Sequence, residues 1–136
     1  MAYFEWADDM VIDGGPIDQD HRLLVDLVNE LHTATSRGAG REVVASILSR
    51  TITSTREHLT REEALMESMG FPDLVAHKAG HDSFMEDLYA LQRRLEQGGI
   101  TVAAQLSATL RDWLSLHIGG NDKEILKFER RRLREA

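Results

Sequence analysis

Apolar positions along the chain recur at the three- and four-residue steps of a helix face, and no segment shows the two-residue alternation of a strand. In the first long segment Ile17, His21, Leu24, Val28 and Leu31 form one such stripe. The second, about Arg41 to Met69, runs through Val44, Ile47, Thr51, Thr55, His58, Glu62, Leu65 and Met69, so polar residues occupy part of a core-facing line. Leu74, His77, His81, Phe84, Leu88, Leu91 and Leu95 mark a third helix over about Asp73 to Gln97. Leu106, Leu110, Trp113, Leu114 and His117 mark a fourth over about Val102 to Ile118.

Helix breakers separate these stripes: Gly14, Gly15 and Pro16, then Gly38 and Gly40, Gly70 and Pro72, Gly98 and Gly99, and Gly119 and Gly120. Short connections leave each helix antiparallel to the one before it, so the pattern predicts an all-α, up-down-up-down four-helix bundle. Asp18 is placed to cap the first helix. Residues 1–16 read as an N-terminal arm whose Tyr3, Phe4 and Trp6 pack on the bundle, about 17–118 as the bundle, and about 123–134 as a short C-terminal helix. With 136 residues the chain has room for one hydrophobic core, and one domain over 1–136 is expected.

Composition narrows the chemistry. Apolar residues at 42% and charged residues at 29%, with two prolines, suit a helical globular protein. The first residues carry Glu5, Asp8 and Asp9 and no basic region before an apolar run, and no stretch reaches the roughly 18 apolar residues of a membrane span. The expectation is a cytoplasmic protein without signal peptide or membrane span. The absence of cysteine excludes disulfides, iron-sulfur clusters and thiol nucleophiles, so any metal must be held by nitrogen and oxygen. A net charge of -7 argues against nucleic acid as a partner. Arg130, Arg131, Arg132 and Arg134 read as complements to a helix C-terminal dipole.

Five of the six histidines fall on inward stripes, and each of the four helices supplies at least one: His21, His58, the pair His77 and His81, and His117. His58 and Glu62 are one helical turn apart and project along nearly the same line; His77 and His81 repeat that spacing, which suits two adjacent positions on one metal ion. Glu62 and His81 stand at similar distances on either side of the turn at Gly70 to Pro72, so they share a level. A lone histidine on an apolar face is usually a hydrogen-bonded core residue, but five converging on one bundle argue for a metal centre. The sixth, His32, is on the same face as His21 but about 16 Å further along, too far to share it.

The segments IDQDHRLL at 17–24, HLTREE at 58–63, HKAGH at 77–81 and WLSLHIGGND at 113–122 resemble, in order, the motifs of the hemerythrins, above all the single-domain bacterial ones. The resemblance covers nearly the whole chain. It implies two iron ions bridged by an oxo or hydroxo group, one held by His77, His81 and His117 and the other by His21 and His58, with Glu62 and Asp122 as bridging carboxylates. That donor set fills about eleven of the twelve positions of two octahedra, leaving one for dioxygen on the iron with two histidines. Leu24, Leu59, Trp113, Leu114 and Ile118 are then expected to wall the oxygen pocket and keep it dry.

The implied function is reversible dioxygen binding for carriage, storage or delivery, by a monomer that is not an enzyme and that has a protein partner receiving oxygen or a signal. Two alternatives share the fold: an oxygen or redox sensor, and a di-iron enzyme acting on peroxide or nitric oxide. A ferritin-like site is disfavoured, because no Glu in the chain is followed by His three residues later. Three departures from the family pattern stand out: Leu59 where phenylalanine is usual, Asp20 where glutamine is common, and Ile125 where tyrosine is frequent. Asp122 comes five residues after His117, about 140 degrees around a regular helix, so a break or widened turn is expected at Gly119 and Gly120.

Overall fold

The structure, a computed structural model, describes residues 3–6, 10–12, 14–98, 102–118 and 123–135. Among the described residues five helices follow one another: α1 (Pro16–Ser36), α2 (Arg41–Ser68), α3 (Leu74–Glu96), α4 (Val102–Leu116) and α5 (Lys123–Glu135). α1 packs against α2 and α4, and α3 against α2 and α4, which closes the first four into an antiparallel bundle. No strand occurs among the described residues, and none of the helices is long and apolar enough to cross a membrane.

The turns after α1 and α2 are built alike. Gly38 and Gly70 take positive φ, 70° and 67°, where a Cβ would be strained. Their amides donate to the carbonyls of Thr35 and Glu67, and the next amides, of Ala39 and Phe71, reach back to Ala34 and Met66. These paired bonds satisfy the last carbonyls of each helix and reverse the chain within a few residues.

Asp18 does not cap α1. Gly15 holds the N-cap position with Pro16 behind it, and Asp18 lies in the first turn. Its carboxylate instead accepts the amides of Ile12 and Gly14, at 2.8 and 2.7 Å, which ties the arm to the helix start. Further back, Phe4 exchanges two backbone bonds of 2.7 Å with the Asn29 side chain, and Tyr3 stacks on His32 with ring centroids 3.7 Å apart. Phe4 enters the main core, with Tyr3 and Trp6 packed at its edge.

Two apolar clusters bracket the bundle. The larger gathers Leu31 of α1, Leu48 of α2, Leu88 and Leu95 of α3 and Leu106 of α4, all essentially inaccessible. The smaller joins Met66, Met69 and Phe71 to Ile125 of α5, with Phe128 packed alongside. By chain position the histidine-bearing segments lie between them, so the centre is closed by core on one side and by α5 with the α2–α3 turn on the other. Burying each large apolar side chain contributes about 1.5–3 kcal/mol, enough to offset polar groups held inside.

Candidate metal centre

His21, His58, Glu62 and His117 have relative exposures of 0%, 0%, 0% and 1%, and His81 of 4%; His77 is half-buried. The bundle brings them together in two groups. Ligand atoms of His21, His58, Glu62 and His117 lie within 4.8 Å of one another, and so do those of Glu62, His77 and His81. Glu62 is common to both. Its Oε2 lies 2.9 Å from His58 Nε2 and 3.0 Å from His117 Nε2, and its Oε1 lies 3.6 Å from His81 Nε2.

The first group is dense in nitrogen. His58 Nε2 lies 3.1 Å from His21 Nε2 and 3.3 Å from His117 Nε2. By distance His117 therefore stands with His21 and His58, whereas the resemblance pairs it with His77 and His81. Asp122 lies outside the described residues, as do Gly119 and Gly120; just before them the helix widens to the π form at 117–118.

The donors fit a cation. A neutral imidazole presents either one proton or one lone pair at Nε2, so nitrogens facing each other at such distances cannot all be satisfied by one another. Glu62 Oε1, His77 Nδ1 and both nitrogens of His81 are buried without a hydrogen-bond partner. A buried polar group left so is costly unless something else meets it, and imidazole with carboxylate is a donor set that suits iron and similar divalent metals.

Burial opposes charge on Glu62, but the imidazoles of His117, His58 and His81 outweigh it and hold the carboxyl well below the usual carboxylate range. Its neighbours thus favour the anionic form, the form in which a carboxylate can take a metal ion.

Behind the candidate ligands stand further polar and aromatic groups. Asp20 Oδ2 lies 3.2 Å from His58 Nδ1, and Arg61 forks onto Asp20 with bonds of 2.8 and 2.6 Å. Partial burial pushes the Asp20 carboxyl up, yet the bonds from Arg61 and His58 win and its pKa falls below the ordinary value. Glu63 Oε2 lies 3.5 Å from His81 Nδ1. Trp113 lies nearly parallel to His117, with centroids 4.5 Å apart, and is backed by Phe84 at 3.8 Å. Phe71 meets the His77 ring edge-on at 5.2 Å.

A small pocket of about 10 Å³ lies among Leu24, Val28, Thr51, Thr55, Leu110, Trp113 and Leu114, room for about one water-sized molecule. Leu24, Thr55 and Leu114 each stand three residues from His21, His58 and His117 respectively, and the helix directions put all three in one layer next to the histidines. Of the five expected wall residues, Leu24, Trp113 and Leu114 line this pocket, while Leu59 and Ile118 are buried but do not line it. Sequence reasoning did not assign Val28, Thr51, Thr55 and Leu110 to the pocket; their places on the stripes that carry His21, His58 and His117 were the available signal. A separate cleft of about 290 Å³ reaches His77, His81 and His117 past Asp73 and Gly80.

Residues 16–128 match the family model described as the hemerythrin HHE cation binding domain. A bacteriohemerythrin of Stenotrophomonas maltophilia is 34% identical over 123 residues, 90% of this chain and 79% of that protein. One from Methylococcus capsulatus is 32% identical over 124 residues, 90% of this chain and 94% of the relative. Among solved structures, a wild-type hemerythrin superposes with a TM-score of 0.84 at 29% identity, over 93% of this chain and 97% of the other. A hemerythrin mutant gives 0.85 at 28% identity, over 94% and 98%.

Proposed function

The chain belongs to the hemerythrin family, and from that premise we propose that it binds dioxygen reversibly at a di-iron centre held by His21, His58, Glu62, His77, His81, His117 and Asp122. The observation that carries the reading is the position of Glu62, one buried carboxylate common to two groups of imidazoles. A carboxylate so placed can give one oxygen to each of two metal ions. When bound, the iron pair supplies the two electrons that dioxygen binding requires.

The protein's own part is to hold, orient and dry the site. Asp20 is placed to accept a hydrogen bond from His58 Nδ1–H, which leaves the Nε2 lone pair facing inward, the tautomer a metal ligand needs. Trp113, wedged between Phe84 and His117, fixes the plane of that imidazole. The small pocket beside the histidines has no carboxylate, lysine or arginine in its lining. Its two hydroxyls are engaged, Thr51 donating to the Ile47 carbonyl at 2.8 Å and Thr55 to that of Thr51 at 2.7 Å. A wall with no acidic side chain and no unengaged hydroxyl favours release of the gas unchanged over its reduction, which supports carriage, storage or delivery over turnover.

Iron analysis with an optical spectrum recorded under oxygen and then under vacuum tests the proposal. Two iron ions per chain and a spectrum that reverses on removing oxygen are expected. Steady consumption of peroxide or nitric oxide with a reductant, without a reversible oxygen spectrum, would replace it with an enzymatic reading.

A further inference from the structure

Among the described residues a groove of about 890 Å³ lies outside the candidate metal centre, between α5 and the turn joining α2 to α3. Its apolar part is Phe71, which is 7% exposed, the half-buried Phe128, and Leu133, which is 65% exposed. Its charged part is dominated by Lys127, Arg130, Arg131 and Arg134, against the carboxylates of Asp73 and Glu124. None of the four cations forms an ion pair with a described residue.

This end of the molecule is electrically set apart from the rest. Six of the chain's 16 Lys and Arg residues stand in α5, against three of its 23 Asp and Glu, so the helix is net +3 and the remainder net -10. Residues 130–134 are all exposed, and five successive residues cover the whole circumference of a helix. The end of α5 therefore stands clear of the bundle. Complementing the helix C-terminus calls for one or two cations in the last turn, and the groove holds more than that task needs.

From this geometry we infer that the groove docks an acidic segment of a protein partner, which sets an apolar side chain against Phe71 and Phe128 and its carboxylates against Arg131 and Arg134. Concavity selects the occupant: a flat anionic membrane cannot reach Phe71, which is 7% exposed. Net charge selects it too, because a long phosphate polymer would face the -10 of the remaining chain, whereas a short acidic segment meets only the basic groove.

The position is informative. Phe71 touches Phe128 edge-on at 5.3 Å and His77 at 5.2 Å, so an occupant would lie one aromatic ring away from a candidate ligand. Asp73 borders both this groove and the cleft that reaches His77, His81 and His117. A docked partner would sit beside that cleft, whichever gas or metal the centre holds.

The test uses the full, iron-loaded chain and a fluorescent peptide of about twelve residues in which glutamates flank a leucine and a phenylalanine. Anisotropy is expected to show binding that weakens with salt and falls at least about tenfold when the glutamates are replaced by glutamine. The Arg131→Glu/Arg134→Glu double variant should lose binding by a similar factor and Leu133→Ser by a smaller one. All three substituted positions are exposed, so circular dichroism should be unchanged. Amide shifts on peptide addition should map to 71–73 and to α5. Equal binding of the glutamine peptide, or undiminished binding by the double variant, overturns the inference. So does binding of phosphatidylglycerol vesicles or single-stranded DNA by a protein that ignores the peptide.

Discussion

The Asp20 carboxylate stands 3.2 Å from Nδ1 of His58, at the opposite end of the imidazole from Glu62, whose Oε2 lies 2.9 Å from Nε2. One ring is thus held between two carboxylates, one placed to orient it and one that the proposed centre would share with it. Removing the outer anion frees the ring to turn and to take the wrong tautomer. Asp20→Ala should weaken iron binding about 10- to 100-fold, read by competition with a chelator. Arg61→Ala should do much less, since Arg61 is half-exposed and its pairing is screened by solvent. An unchanged affinity in Asp20→Ala would remove Asp20 from the account of the centre.

Leu59 follows His58 directly and is 3% exposed, at a position where the hemerythrin resemblance implies phenylalanine. A bulkier side chain beside a candidate ligand would screen it further from water and anions. Decay of the oxygenated form should therefore be about threefold slower in Leu59→Phe, a change of under about 1 kcal/mol in the barrier. Equal decay rates would mean that this position does not govern access.

Much of this site was legible because the helical period is rigid. Once breakers such as Gly38 and Gly70 mark the turns, residues four apart must share a face, and His58 with Glu62 or His77 with His81 can be paired on paper. Other features depend on relations that periodicity does not encode. Asp18 looked like a cap because Asp commonly is one, but the arm folds back and its amides claim the carboxylate. Asp20 is next to His21 in sequence yet serves His58 on another helix, a relation that needs the rotation of α1 against α2. The grouping of His117 with His21 and His58 depends on distances of a few tenths of an ångström, far finer than a period can give.

The arm offers an independent check. Asn29 donates to the Phe4 carbonyl and accepts from its amide, so a single amide side chain satisfies both backbone groups of a buried residue. Asn29→Ala leaves both unmet and should cost about 1–3 kcal/mol of stability. Trp6 packs at the edge of the core beneath Arg22, 4.7 Å from its ring, so release of the arm should also shift Trp6 emission to the red. Loss of stability without a fluorescence change would mean that the clamp holds Phe4 alone.

Core and centre should be separable in energy. Leu88 is fully buried in the main cluster, while Val75, on the same helix, is 82% exposed. Leu88→Ala should destabilise by about 2–5 kcal/mol through lost transfer energy and a residual cavity. Val75→Ala should stay within about 0.5 kcal/mol. Urea unfolding reads both, with the midpoint moving and the slope unchanged. Leu88 follows His81 by seven residues, about 10 Å along α3, far enough for independent effects. Iron held by the folded chain alone would raise the stability of wild type and Leu88→Ala by the same increment. A smaller increment in Leu88→Ala would show that the cavity loosens the histidine layer, and that packing far along the bundle helps set the affinity for metal.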